Sequence, residues 1–139
     1  MYQNLQRYRK NDVVTANQGR LIVMLYDGLI KQIDLGTAEL RKEGPRLDLA
    51  HNALTKAQEI LNELQISLDI EHGGQIAQSL LSLYRFFAKA LIQANINKNS
   101  EGLPVIRQQI ADLRDAWAQV QTTQCETPKQ PAVGVNIAG

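Results

Sequence analysis

A single cysteine, Cys125, rules out an intramolecular disulfide, which agrees with a reducing compartment. No histidine neighbours it in sequence, so it has no adjacent base to activate it and reads as a free thiol. The two histidines, His51 and His72, fall near opposite ends of one helical stretch and cannot share a metal within the chain. A carboxylate metal site in a helical bundle would need Glu-x-x-His pairs, and the sequence contains none. No apolar run is long enough to cross a bilayer, and Met1-Tyr2-Gln3-Asn4 opens without the apolar core of a signal peptide, so the expected location is the cytoplasm. Fifteen basic against fourteen acidic side chains leave a formal charge of +1, which gives no overall field for nucleic acid, anionic lipid or an acidic substrate. Strand-like alternation is missing, so Gly73-Gly74 cannot belong to a phosphate loop or dinucleotide fingerprint, both of which follow a strand. Acidic pairs such as Glu59 and Glu63 have the spacing of a solvated helix face rather than of a water-excluded cleft. With no catalytic residue, metal ligand, cofactor site or small-molecule site visible, the chain reads as a non-enzyme.

What the sequence does contain is helix. A chain of 139 residues with 44% hydrophobic content is one domain, able to bury about two thirds of its unfolded surface. Leu47, Ala50, Leu54, Ala57, Leu61, Leu64 and Leu68 alternate spacings of three and four, which puts them on one helical stripe. Ala77, Leu80, Tyr84, Phe87, Leu91 and Ala94 repeat the rhythm. Gly73-Gly74 lies between the two runs and predicts the reversal of direction, since glycine tolerates the left-handed conformation that ends a helix.

Upstream, Asn17 predicts a cap for a helix running to about Arg41, with Ile22, Tyr26, Leu29, Ile33 and Leu40 along one face. Leu21, Met24, Leu25 and Ile30 widen that face, so this helix should touch two neighbours. Gly44-Pro45 ends it, and the next helix opens near Arg46. Downstream, Asn97-Lys98-Asn99-Ser100 predicts a turn, Ser100 a cap, and Leu103, Ile106, Ile110, Leu113, Trp117 and Val120 a final stripe with Pro104 in its first turn. Short connections favour antiparallel neighbours. The expectation is an all-α fold, an antiparallel up-down four-helix bundle over residues 1–122, with 1–16 as a mobile amino-terminal arm and 123–139 as a disordered tail.

Polar and aromatic residues interrupt the apolar faces. Asp27 follows Tyr26, Gln58 follows Ala57, and Asn95 closes the third stripe, while Tyr84 and Trp117 lie within stripes. Each has a plain structural reading, as a solvated carboxylate, a helix-end amide or a core filler. Each also has a functional one. Ile60, Ile66, Ile76, Leu81, Leu83 and Ile92 lie beside the main stripes, so a groove left open along the bundle would accept an amphipathic helix or an extended apolar segment from a partner.

The string Tyr8-Arg9-Lys10-Asn11-Asp12-Val13-Val14-Thr15-Ala16 followed by Leu21-Ile22-Val23-Met24-Leu25-Tyr26-Asp27-Gly28 resembles the amino-terminal signature of the flagellar export chaperone family FliS. Lys56-Ala57-Gln58-Glu59-Ile60 to Leu64, Ser67-Leu68-Asp69, Gly73-Gly74, Leu83-Tyr84, Leu91, Ala94-Asn95 and Leu113-Arg114-Asp115-Ala116-Trp117 continue the resemblance in order, so that it covers residues 8 to 117. Asn17-Gln18 departs from the Ser/Thr-Pro pair usual in that family, with Asn17 retaining the capping chemistry.

The resemblance implies a cytoplasmic chaperone that binds the disordered carboxy-terminal segment of flagellin one to one, prevents premature polymerisation, and helps deliver flagellin to the membrane export gate. Tyr8, Tyr26, Asp27, Gln58, Ile60, Leu64, Tyr84, Asn95 and Trp117 are the matching positions carried over as candidate flagellin-binding residues. Spacing does not separate those that touch cargo from those that hold the bundle. The alternative is a structural bundle that self-associates, as a homodimer, with no flagellin cargo. The arm adds one expectation: residues 2–14, with Leu5, Tyr8, Val13 and Val14 as apolar anchors, cover the groove part of the time when cargo is absent.

Overall fold

The computed structural model describes residues 16–126, with side chains placed over 18–120. Tyr8, the amino-terminal arm and the tail beyond 126 lie outside the described residues. Helices α1 (Ala16–Leu40), α2 (Leu47–Ile66), α3 (Ile70–Asn97) and α4 (Leu103–Glu126) account for the described chain, and no strand occurs among these residues. Their order and short connections make the all-α bundle expected from periodicity.

Register follows from the contacts between helices. On α1, Gly28 faces Ile60 of α2, and Gly36 lies against Leu54 and Ala53. Position rises along one helix as it falls along the other, so the pair is antiparallel. On the opposite flank of α1, Asp27 pairs with Arg114 and Asp34 with Arg107, which makes α1 and α4 antiparallel too. Asn95 of α3 meets His51 of α2, which fixes α3 beside α2. The broad apolar face of α1 therefore touches α2 on one side and α4 on the other, as its width required. The α3–α4 pairing is the least extensive of the adjacent contacts.

The core is formed where the stripes converge. Leu25, Leu29, Ile33, Leu54, Leu61, Leu64, Leu91, Leu103 and Ile110 are buried, with Tyr26, Tyr84 and Phe87 as the largest enclosed side chains. Each buried Leu or Ile removes enough apolar surface from water to contribute about 1.5–3 kcal/mol. Leu47, the first residue of the predicted α2 stripe, is exposed, and Leu80, Leu113 and Trp117 are half-buried at the edge of the core.

The reversal between α2 and α3 falls earlier than the glycine pair suggested. α2 stops at Ile66, Ser67–Asp69 turn the chain, and Asp69 opens α3 by accepting a hydrogen bond from the His72 backbone N–H at 3.1 Å. An aspartate at an N-cap satisfies an orphan amide, which a glycine cannot do, so the turn is set by Asp69. Gly73-Gly74 instead lies inside α3, where Gly74 takes φ 59°, ψ −141° and kinks the helix. Residues 70–76 are all exposed, and the buried positions of α3 begin at Ala77.

Two other boundaries shift. α1 begins at Ala16, so Asn17 stands in its first turn rather than ahead of it, and α4 continues to Glu126, past the end of the apolar periodicity. The α1–α2 connection is stapled by Glu39, whose carboxylate accepts from the Arg46 backbone N–H and from the Lys42 ammonium, both at 2.9 Å. These donors hold its carboxyl below the usual carboxylate range, the Arg46 amide first.

Candidate functional site

Three of the candidate residues are brought together at the bundle axis. Tyr26 on α1 and Tyr84 on α3 stand diagonally across the bundle, with hydroxyls 2.5 Å apart and rings tilted at 59°. Trp117 on α4 packs against the same core from its edge. The two phenols thus tie α1 to α3 through an apolar interior. Burial pushes both phenols up; the Tyr84 hydroxyl and the nearby Trp117 indole oppose this at Tyr26, whereas the neighbouring Tyr26 reinforces it at Tyr84.

Tyr26, Leu64 and Tyr84 are enclosed, so their side chains offer no surface to a partner in this structure. Asp27 lies one residue from Tyr26 but points outward, with its oxygens 2.8 and 3.4 Å from the Arg114 guanidinium. Ile60 is half-buried with its Cδ1 against Gly28, and Gln58, two residues earlier on α2, is also half-buried. Asn95 belongs to the other end of the bundle, where its amide donates to Nδ1 of His51 at 3.0 Å and its oxygen accepts from Lys98. The eight candidates among the described residues therefore do not form one patch. They divide into core ties, ion-paired surface and an amide clasp, with Trp117 the aromatic at the border between core and solvent.

An open apolar flank lies between α3 and α4. Asn95 marks the side of α3 that faces α2, and by helical period Ile76, Leu83, Phe86 and Ala90 lie on the other side. Ile76 is 73% exposed and Phe86 53%, while Leu83 and Ala90 pack half-buried against the core. On α4 the Asp27 and Asp34 partners mark the side toward α1, and Leu113 and Val120 fall on the side away from it. Trp117 is half-buried, and Val120 is 50% exposed. Two helices that pack lightly against each other thus leave an apolar strip with an indole at its floor.

Phe86 escaped the sequence reading. Its signal was the Phe86-Phe87 pair, in which helical geometry lets only Phe87 join the inward stripe and leaves its neighbour outside. Among the described residues no group of three or more histidine, cysteine, aspartate or glutamate side chains converges as a metal site, and no helix is long and apolar enough to cross a membrane.

Comparison with known proteins bears on this architecture directly. The family described as flagellar protein FliS matches residues 1–124. A flagellar secretion chaperone FliS of Bacillus subtilis is 33% identical over 112 residues, covering 81% of this chain and 81% of its own. The Salmonella typhimurium protein of the same name is 33% identical over 109 residues, covering 78% of this chain and 79% of its own. The Escherichia coli one is 30% identical over 108 residues, with 77% and 78% covered. With a family match along nearly its whole length and relatives of this identity and coverage, the chain belongs to the FliS family of flagellar proteins.

Proposed function

We propose that this protein is a cytoplasmic flagellar export chaperone that binds the carboxy-terminal segment of flagellin one to one, keeps it from polymerising early, and helps hand it to the membrane export gate. The observation that carries this reading is the apolar strip between α3 and α4, formed by Ile76, Leu83 and Phe86 with Trp117 and Val120. A segment that later packs its apolar residues against other subunits is an aggregation hazard while unassembled, and a strip of this chemistry masks such residues. Ordering a disordered segment offsets several kcal/mol of the contact energy, which keeps the complex releasable. Of the candidate residues, Trp117 is the direct contact; Tyr26, Leu64 and Tyr84 act by holding the wall that Trp117 leans on; Asp27 keeps α4 in place through Arg114. Gln58, Ile60 and Asn95 position α2 and α3. Tyr8, on the arm outside the described residues, is proposed as a further cargo contact.

Titration calorimetry with a flagellin and with the same flagellin lacking its carboxy-terminal segment tests this. The expected result is a one-to-one complex with the intact protein only, with a negative heat-capacity change from apolar burial, weakened at least tenfold by Phe86→Ser at unchanged melting temperature. Equal binding of the truncated flagellin overturns the reading. A tight homodimer that covers the strip, seen by light scattering, would favour the self-associating bundle instead.

A further inference from the structure

The walls of the α3–α4 strip carry no charge. On α3, Ile76, Ser79, Leu83, Phe86 and Ala90 follow one another at spacings of three and four, and on α4 Leu113, Ala116 and Val120 do the same. By helical period Lys89 and Asp112 stand at the outer margins of the strip, while Arg107 and Arg114 turn away from it to Asp34 and Asp27 on α1. A charged side chain laid along these walls would lose its water without meeting an opposite charge, so the strip selects an uncharged apolar occupant.

The chain itself supplies such a segment. The short turn Ser67–Asp69 sends α3 back along α2, so α3 runs parallel to α1 and antiparallel to α4. α4 therefore ends, at Glu126, beside the Ile76 end of the strip. Residues 127–139 lie outside the described residues; in sequence they open with Thr127-Pro128-Lys129-Gln130-Pro131 and continue as Ala132-Val133-Gly134-Val135-Asn136-Ile137-Ala138-Gly139, a run without a charged side chain. The first five reach at most roughly 17 Å, enough to turn from the end of α4 onto the strip. Ala132 to Ile137 extended would cover roughly 20 Å, about the length of α3 from Ile76 to Ala90. The family match stops at residue 124, so this segment lies beyond what the family model covers. The amino-terminal arm suits uncharged walls less well, because Arg7, Arg9, Lys10 and Asp12 interleave its apolar anchors.

We propose that, when cargo is absent, the carboxy-terminal segment of this chain docks on its own α3–α4 strip, with Val133, Val135 and Ile137 against Ile76, Leu83 and Phe86, and that cargo must displace it. Tethering at Glu126 holds the segment at an effective concentration in the millimolar range, so weak contacts suffice to cover the exposed apolar surface. The competition rests on the reading of the strip as the cargo surface; the docking does not.

The test uses the full chain, isotopically labelled, with Cys125→Ser and Ala138→Cys and a nitroxide attached at position 138. The expected result is paramagnetic broadening of the Ile76, Ser79, Leu83 and Phe86 amides and not of His51 or Asn95 at the other end of the bundle. Val133→Ser with Val135→Ser and Ile137→Ser should abolish the broadening, and saturating flagellin should relieve it. In the chain without a label the same three substitutions should tighten flagellin binding roughly two- to tenfold, since a competitor that occupies the strip lowers apparent affinity by the fraction left free. Absence of broadening, broadening that survives saturating flagellin, or unchanged cargo affinity in the triple variant would each overturn the proposal. So would broadening seen only between chains, in a mixture of nitroxide-bearing and isotopically labelled protein, since a second copy would then own the strip. Stronger broadening of the same amides by a nitroxide placed through Gln3→Cys assigns the strip to the arm and overturns it too. If flagellin fails to bind in the calorimetric test while the serine substitutions still abolish the broadening, the cargo reading fails and the docking stands.

Discussion

The Tyr26 and Tyr84 hydroxyls meet because neither has water to turn to, and each satisfies a polar atom that would otherwise be buried alone. Tyr84→Phe should therefore destabilise by about 1–3 kcal/mol, the range for leaving a buried partner unsatisfied, while Tyr26→Phe with Tyr84→Phe should cost less than the sum of the two single changes. Urea unfolding of the four variants measures the coupling. The same burial sets a pH limit. Both phenols have their folded values raised, so their contribution is intact below the unfolded phenol value near 10 and is lost as pH climbs above it, where the unfolded chain releases protons that the folded one keeps. Absorbance titration of the phenolate should show two tyrosines ionising only as the helical signal collapses; two ionising below the collapse would contradict it. Periodicity placed Tyr26 and Tyr84 on inward faces, yet their bond was not legible in sequence, because a diagonal contact depends on how two non-adjacent helices are rotated.

Between residue and molecule, the kink in α3 is the clearest case of an element shaped by one backbone angle. Gly74 sits at φ 59°, ψ −141°, a region nearly closed to residues with a Cβ, and at Gly73 an added Cβ would stand 2.6 Å from that of Ala77. Gly74→Ala should cost about 1–3 kcal/mol of stability. Gly102→Ala, whose Cβ would meet nothing within 4 Å, should change it by no more than about 1 kcal/mol and in the stabilising direction. Denaturant midpoints of the two variants separate them, and equal losses would show that the kink is not needed. The α1–α2 connection makes a companion case through Glu39. Its folded value is depressed, so the stability it adds is present above its unfolded value near 4.5 and disappears as pH falls through the folded one. Glu39→Gln should remove that acid sensitivity of the melting temperature and lower the midpoint at neutral pH. Neither the kink nor the staple was readable beforehand: a glycine pair marks a break without saying whether the chain turns there, and Glu39 is a surface carboxylate until Arg46 folds back onto it.

At the scale of the molecule, α4 is held to α1 by Asp27–Arg114 and Asp34–Arg107 but packs little on α3, and no side chain past Ile110 is fully buried among the described residues. Exposed ion pairs of this kind contribute under about 1 kcal/mol each. Amides from Ala111 to Val120 should exchange with solvent at least tenfold faster than those facing the Gly28–Ile60 and Gly36–Leu54 contacts, and cargo should slow them. Uniform protection along α4 without cargo would show the strip to be closed. The number of helices, their inward stripes and the family all follow from the sequence, because a three-four rhythm in apolar residues leaves a helix one way to bury its surface. What only tertiary structure decided is which apolar residues remain outside. Ile76, Phe86 and Val120 are as hydrophobic as Leu91 or Ile110, and their exposure comes from α3 and α4 each leaning on a different neighbour, a choice made by the packing of all four helices together.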